Sequence, residues 1–186
     1  MLAEPQTSGP AQDSERFWEI SMTFRPFILL VALLPLVTVG DNAVNTDAID
    51  AVLDDFHDAA AHGDNDRYLG HMTENGVFMG TDEWERWPKN PEFIDYVGGR
   101  FKDGSGWNYR SVERTVNVSD DANVAWFDEV VYSEANGRFR GTGVLVQIEG
   151  QWKIAHYAMS FLVFNENWEE VVKLSKKTAA EKAAAE

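Results

Sequence analysis

Two tight-turn dipeptides, Asn136-Gly137 and Glu149-Gly150, lie in the second half of this 186-residue chain. They are flanked by stretches in which apolar and polar residues alternate, the pattern of strands with one buried face. Asn-Gly is the strongest short-range signal for a two-residue β-hairpin loop, because both of its residues accept positive φ. With a third turn at Asp120-Asp121, the pattern predicts an antiparallel meander of four strands: 109–118, 124–134, 142–148 and 151–164.

The residues before this meander have helical patterns. Apolar residues recur at helical spacing from Ile49 to Ala60, which predicts an amphipathic helix over 46–62 that Gly63 closes. Further short elements are predicted before residue 102: helices over 64–72 and 91–101, and a strand over 76–79. Helices followed by a meander give an α+β order. We therefore predict one α+β domain, a conical, curved antiparallel sheet wrapped around the N-terminal helices and enclosing a cavity.

The predicted turns also indicate which side chains share a face of the sheet. If both dipeptides form two-residue loops, Val130 lies opposite Gly143, which in turn lies opposite His156. Because side chains alternate along a strand, one face then contains the following residues: Trp126, Asp128, Val130, Tyr132, Gly141, Gly143, Leu145, Trp152, Ile154, His156, Ala158 and Ser160. This face combines apolar walls with a few polar groups, as ligand pockets do, and we expect it to be concave. A shift by one residue would exchange the two faces.

Asp128 and His156 are the candidate catalytic residues on this face. A carboxylate beside an imidazole can orient a general base for proton abstraction or water activation. The alternative is a polar pair that forms a hydrogen bond in the pocket wall and performs no chemistry.

Further side chains are expected to line the pocket or its mouth. Glu113 joins the same face if the turn at 120–121 keeps an even register. Asp82 and Trp87 follow the first strand, near the expected mouth, although packing in the core is the simpler role for Trp87. The predicted ligand-binding residues are Trp126, Tyr132, Trp152, Ser160, Trp87, Asp82 and Glu113.

The composition argues against several classes of function. A formal net charge of −15 disfavours binding to phosphate backbones and to anionic lipid. The absence of cysteine excludes disulfides and thiolate chemistry. His57, His62 and His71 lack metal-ligand spacing and are expected to be solvated, and no phosphate loop or zinc signature is present. The sequence therefore predicts no bound metal, no cofactor and no nucleic-acid partner.

Residues 1–40 have the features of an export signal. Arg25 precedes thirteen mostly apolar residues, 27–39, which suits a signal-peptide core and is shorter than the about 20 residues of a membrane span. Small residues before Asp41 suit cleavage there, and Met22 is a candidate for the true start. We expect a periplasmic or secreted protein that contacts a membrane only if this segment stays uncleaved. A buried N-terminal helix is the alternative.

Several short motifs resemble the SnoaL-like branch of the nuclear transport factor 2-like superfamily. In chain order they are VFMGTD at 77–82, ERW at 85–87, AWFDE at 125–129, RGTGV at 140–144 and WKIAHY at 152–157, followed by Ser160. The resemblance extends over about residues 46–168. It implies a conical α+β barrel, often a homodimer joined through the outer face of the sheet.

The resemblance does not imply one function, because the superfamily includes isomerases, dehydratases, hydrolases, cyclases and non-catalytic domains. Relatives often have a second histidine two residues after the position of His156, where this chain has Ala158. We divide the chain into an N-terminal extension and signal peptide (1–40), a SnoaL-like domain (41–168) and a helical tail (169–186).

Three functions remain open at this point. The first is an exported domain that binds a small, mostly apolar molecule in its conical pocket. The second is a cofactor-independent lyase, isomerase or hydrolase that uses His156 and Asp128. The third is a homodimeric association domain with a vestigial cavity.

Overall fold

The computed structural model describes residues 46–104 and 106–185. The expected signal segment, 1–40, lies outside these residues, so its role as an export signal stays a prediction. Among the described residues, no helix has both the length and the apolar character needed to cross a membrane.

The described residues include four α-helices, three of them before the meander. Helix α1 (Asp47–His62) places Asp47 and Asp50 in its first turn and ends at Gly63, which has a φ of 64°. This φ lies in the left-handed region that glycine adopts without strain, so the predicted stop is confirmed. The remaining helices are α2 (Asn65–Gly70), α3 (Ile94–Arg100) and α4 (Trp168–Ala183). No side chain of α4 is buried.

Within the part of the chain that the structure describes, six strands form one curved, unclosed sheet of order β2-β1-β6-β5-β4-β3. Their bounds are β1 (Met72–Met79), β2 (Arg86–Pro88), β3 (Arg110–Val118), β4 (Val124–Ser133), β5 (Gly137–Ile148) and β6 (Gln151–Phe161). All neighbouring strands are antiparallel except β1 and β6, which are parallel. The predicted α+β class and meander are therefore confirmed.

One row of paired residues crosses five strands and marks the concave face. It consists of Phe127, Gly143, Tyr157, Phe78 and Trp87, all of them buried. Helix α1 packs against this row, and the rings of Phe56 and Tyr157 lie 5.5 Å apart. The next row on the same face contains Glu129, Gly141 and Met159.

The predicted face of β4 is wrong, because the first hairpin loop has three residues. Ser133 pairs with Gly137, and the Asn136 amide donates to the Ser133 carbonyl at 3.2 Å. Asn136 thus closes a β-turn, and Gly137, with a φ of 83°, takes the bulge position that follows such turns. Val130 therefore pairs with Arg140 rather than Gly143. This odd shift of three residues exchanges the faces of β4 relative to β5.

The second hairpin has its predicted two-residue loop, but β6 then contains an irregularity. Ile148 pairs with Gln151, and Leu145 pairs with Ile154. The next pair is Val144 with His156, so one additional β6 residue, Ala155, stands between the two pairs. A bulge of this kind reverses the alternation beyond it. Ile154 consequently lies on the predicted concave face, whereas His156 lies on the outer face.

Candidate functional site

A cavity of about 120 Å³ lies between the concave face of the sheet and the helices. Most of its wall is aromatic. The lining residues are Phe56, His57, Ala60, Tyr68, Phe78, Gly80, Thr81, Glu85, Trp87, Tyr96, Trp107, Tyr109, Tyr157 and Met159. Because Thr81 is exposed to solvent, the cavity reaches the surface at the loop between β1 and β2.

Glu129 of β4 is a charged residue buried behind the cavity wall, with only 1% of its surface exposed. His57 Nε2 lies 2.8 Å from Glu129 Oε1, and the Tyr157 hydroxyl donates to the same oxygen at 2.8 Å. Arg114 of β3 donates from Nε to the other carboxylate oxygen at 3.0 Å. Since an ionised carboxylate only accepts hydrogen bonds, His57 donates through Nε2. This leaves Nδ1 as the ring nitrogen available for other partners.

The donors around Glu129 keep it ionised. Burial by itself would raise the pKa of Glu129, but the hydrogen bonds from His57 and Tyr157 and the charge of Arg114 outweigh burial and hold the pKa at about 2. Burial and the adjacent Glu129 charge raise the pKa of Tyr157 well above its usual range. Tyr157 is therefore a neutral hydrogen-bond donor at physiological pH.

Arg114 connects this carboxylate to helix α1. Its guanidinium lies 2.9 Å from Glu129, 3.1 Å from Asp50 and 2.9 Å from Asp54. The Arg114 side chain is only 8% exposed, so its charge depends on these carboxylates, whereas Asp50 and Asp54 also remain accessible to water. The ion pairs hold α1, and with it His57, against the sheet.

Gly141 makes room for this network. A Cβ atom at Gly141 would lie 2.9 Å from Glu129 Cγ and closer still to the Tyr157 hydroxyl. Any larger residue would displace one of these two side chains. Gly141 thus leaves space on the concave face that Glu129 and Tyr157 occupy.

His57 lies between the aromatic cavity and a second, more open one. The second cavity has a volume of about 310 Å³, and most of its lining residues have polar or charged side chains. His57 and Tyr109 line both cavities. The imidazole thus has access to two compartments of different polarity, which suits a group that exchanges protons.

This arrangement has the elements of a general acid–base site. An imidazole oriented by a buried carboxylate can accept or donate a proton at its second nitrogen, and the apolar wall keeps competing water away. No group of three His, Cys, Asp or Glu side chains in the described part of the chain is arranged to hold a metal ion.

Glu85 provides the other carboxylate at this cavity. Its Oε2 atom accepts from the backbone amides of Thr81 at 2.8 Å and Asp82 at 2.9 Å. The Gly80 amide also donates to the Glu85 carbonyl at 2.8 Å. These bonds hold the loop between β1 and β2 in one conformation and fix the Glu85 carboxylate at the cavity rim.

The predicted pair, Asp128 and His156, does not reach the cavity. Asp128 pairs with Thr142 and directly precedes Glu129, whose side chain is on the concave face. Because side chains alternate along a strand, Asp128 points to the opposite face. His156 pairs with Val144 and Val77 and directly precedes Tyr157, whose side chain is on the concave face. His156 therefore also points to the opposite face. Both residues therefore lie on the outer face, and the expectation that they face the pocket is wrong.

The other predicted residues are distributed between the two faces. Trp87 lines the cavity, as expected, and Asp82 contributes its backbone amide to the loop at the rim. Trp152 is half-buried and packs against the core. The other four predicted residues lie away from the cavity. Trp126 is 48% exposed, and the backbone of Ser160 pairs with that of Arg140. The Tyr132 hydroxyl donates a hydrogen bond to Glu134, and Glu113 accepts one from Arg138.

The sequence analysis missed His57, Glu129 and Tyr157. His57 was expected to be solvated, yet it follows Leu53 by four residues and therefore lies on the buried face of α1. That spacing was a usable signal. Glu129 and Tyr157 were assigned to the outer face because the turn and the bulge reverse the alternation of β4 and β6.

Comparison with known proteins identifies the same type of fold. The family model described as "SnoaL-like domain" matches residues 49–164. No curated protein matches the chain at a significant level.

Solved structures similar to this chain include three bacterial proteins of low sequence identity. An NTF2-like protein of unknown function from Pseudomonas putida is 14% identical, with a TM-score of 0.54 over 65% of this chain and 89% of that one. A cystatin-like domain of unknown function from Nostoc punctiforme is 14% identical, with a TM-score of 0.55 over 77% and 96%. An uncharacterised cystatin-like protein from Caulobacter vibrioides is 17% identical, with a TM-score of 0.53 over 70% and 97%. At these identities the similarity concerns the fold alone.

Proposed function

Because the chain belongs to the SnoaL-like domain family, we propose that it binds a small, mostly apolar molecule in the cavity between the helices and the sheet. The observation that carries this proposal is the mostly aromatic wall with a few polar side chains, His57, Thr81 and Glu85. Apolar walls with a few placed polar groups are characteristic of small-molecule sites.

The size of the cavity limits the ligand. An apolar cavity of about 150 Å³ is sufficient to bind benzene, and this cavity is about 120 Å³. The cavity is thus smaller than the benzene-binding one, and we expect a ligand of at most one small ring, or a branched group of similar size. A larger ligand would have to extend through the rim beside Thr81.

The experiment is a thermal-shift screen with small organic compounds. A ligand present at 100 times its Kd stabilises the folded protein by about 2.7 kcal/mol, which raises the Tm measurably. Thr81→Trp should obstruct the rim and reduce the shift. Glu83→Trp is the matched control, because Glu83 is exposed and does not line the cavity. If no compound shifts the Tm, or if both variants respond as the wild type does, the proposed site is wrong.

A second candidate function is acid–base catalysis on the bound molecule, by a lyase, isomerase or hydrolase mechanism without a cofactor. The specific observation in its favour is the hydrogen bond between His57 at the cavity wall and ionised Glu129. In this proposal His57 replaces His156 as the acid–base group, and Glu129 replaces Asp128 as the carboxylate that orients it.

Proton transfer can be tested before a substrate is known. Ligands from the screen that carry acidic C–H bonds are incubated with the protein in D₂O, and hydrogen–deuterium exchange is followed by NMR. His57→Gln should abolish the exchange, whereas His71→Gln should leave it unchanged, because His71 does not line the cavity. Exchange that persists in His57→Gln would show that His57 is not the acid–base group.

We also propose that two copies of the chain pair through the outer face of the sheet, and that the chain is exported. Exposed apolar side chains on this face, Trp126 and Val124, support pairing. Sedimentation of the wild type and of Trp126→Asp tests it, since a monomeric wild type would contradict the proposal.

The apolar run at 27–39 supports export, and N-terminal sequencing of the mature protein tests it.

A further inference from the structure

The charge of the cavity lining is unbalanced. Glu85 and His57 are the only acidic or basic side chains that line the cavity within the described chain. Glu85 forms no ion pair with a described residue, because its carboxylate is held by the backbone amides of Thr81 and Asp82. The rim therefore contains a negative charge that no ion pair with a described residue neutralises, and the cation beside the cavity wall is Arg100, next to Trp107.

The influence of this charge extends into the cavity wall. Burial and the nearby Glu85 carboxylate raise the pKa of Tyr96, which lines the same cavity. The protein as a whole has a formal net charge of −15. A cleft in a strongly acidic protein concentrates cations from solution.

The aromatic wall near Glu85 is also suited to a cation. Tyr96 stacks between Trp87 and Trp107, at centroid distances of 4.3 Å and 5.9 Å, so the indoles cover the faces of Tyr96 and contact with a bound cation falls to the indole rings. The guanidinium of Arg100 lies 5.9 Å from the centroid of the Trp107 ring. The faces of indole and phenol rings attract cations, most strongly where water is excluded.

From these observations we propose that the cavity selects small organic cations, such as methylated ammonium groups, over neutral molecules of the same shape. This inference rests on the proposed ligand-binding function and specifies its ligand class. Aromatic rings would surround the apolar methyl groups, and the Glu85 carboxylate would neutralise the positive charge at the rim.

The experiment compares choline with its uncharged carbon analogue, 3,3-dimethylbutan-1-ol. The two have nearly the same shape and differ in the charge of one central atom. Both are titrated into the wild-type protein by calorimetry, at low and high salt. We expect the neutral analogue to bind at least about ten-fold more weakly, and choline binding to weaken as the salt concentration rises.

Two single substitutions assign the selectivity to the rim. Glu85→Gln keeps an oxygen that can accept a backbone hydrogen bond and removes the charge. It should reduce the affinity for choline about five- to ten-fold and leave that of the neutral analogue unchanged. Glu83→Gln removes the same charge from an exposed neighbour and should change neither affinity. If Glu85→Gln does not fold, the wild-type comparison of the two ligands at both salt concentrations remains a complete test.

The outcomes separate this inference from the proposed function. Equal affinities for choline and the neutral analogue would overturn the selection of cations while supporting a small-molecule site. An unchanged affinity for choline in Glu85→Gln would overturn the role of the carboxylate. Binding of neither compound, together with hits among neutral molecules in the thermal screen, would also overturn the inference. Absence of binding by every compound would contradict both proposals.

Discussion

Two regions of this protein contain the same three kinds of side chain, a histidine, a carboxylate and an arginine. The buried cluster consists of His57, Glu129 and Arg114, and the surface cluster of His71, Asp55 and Arg67. In the surface cluster, Asp55 accepts hydrogen bonds from Arg67 and from His71 Nε2, the latter at 2.6 Å. The hydrogen bond from Arg67, helped by that from His71, lowers the pKa of Asp55 to about 2, the same value as for Glu129.

The two clusters differ in their exposure to water. The Asp55 side chain is 41% exposed, whereas that of Glu129 is fully buried. Water can solvate the members of the surface cluster when a partner is removed, so their attraction contributes little to stability. Water cannot solvate Glu129 in the buried cluster in the same way, because its side chain is fully buried. This cluster also borders the aromatic cavity, which His57 lines. Residue types and pKa values alone therefore do not identify a functional site; burial and an adjacent cavity do.

The largest expected difference is in stability. Glu129→Gln leaves the Arg114 charge buried without its main partner, and we expect a loss of about 3–5 kcal/mol in the free energy of unfolding. Asp55→Asn should reduce it by at most about 1 kcal/mol. Urea denaturation of both variants measures the difference. Similar losses in the two variants would show that the clusters are energetically equivalent.

The pH dependence of stability should also differ. The pKa of Glu129 is lower in the folded state, about 2, than the value of 4.5 for an unperturbed group. The unfolded state therefore binds the proton first, and the stabilisation is present above about pH 4.5 and is lost as the pH falls towards 2. This contribution amounts to about 3 kcal/mol. Denaturation between pH 2 and 6 should give a flatter curve for Glu129→Gln than for Asp55→Asn, because the pKa of Asp55 falls only from 3.8 to about 2 and water screens its 41% exposed side chain. Equal slopes would contradict the assignment.

The space around Glu129 can be tested with glycine substitutions. Gly141→Ala forces Tyr157 or Glu129 to move, and we expect it to lower the free energy of unfolding by about 1–3 kcal/mol. Gly99→Ala is the control, because no atom lies within 4 Å of a Cβ built there. In a helix this change should be neutral or stabilising by up to about 1 kcal/mol. A neutral Gly141→Ala would mean that the network accepts the added methyl group.

The smallest effects are expected on the outer face. Asp128→Asn and His156→Ala should change the free energy of unfolding by less than about 1 kcal/mol and leave ligand affinity in the cavity unchanged. His57→Gln should weaken the binding of ligands that reach the imidazole. These affinities can be compared by calorimetry. A loss of binding in His156→Ala, but not in His57→Gln, would show that the two faces of the sheet have been exchanged.

Much of the fold could be predicted from local pattern. Helix α1 and its end at Gly63, the four strands of the meander and the turn at 149–150 all follow from residues close together in sequence. Glu149 and Gly150 have φ values of 52° and 77°, as a two-residue hairpin loop requires. The candidate site was less predictable, and of the predicted ligand-binding residues only Trp87 lines the cavity.

Two local features explain the wrong assignment of side chains to the faces of β4 and β6. Asn136-Gly137 is compatible with a two-residue loop and also with a three-residue loop followed by a bulge, and the sequence pattern does not distinguish them. The irregularity at Ala155 has no sequence signal that we can identify. Each changes the register by an odd number of residues, so every side chain on the affected segment moves to the other face.

The sequence by itself determined the kinds of element, their order, the family and the apolar face of α1, although His57 on that face was expected to be solvated. Only the tertiary structure decided which carboxylate meets that histidine. Secondary structure depends on periodicity within one segment, but the contents of a concave face depend on the registers of several strands at once. The pocket expected from the sequence is therefore present, while the histidine at its wall is His57, held by Glu129, instead of His156 beside Asp128.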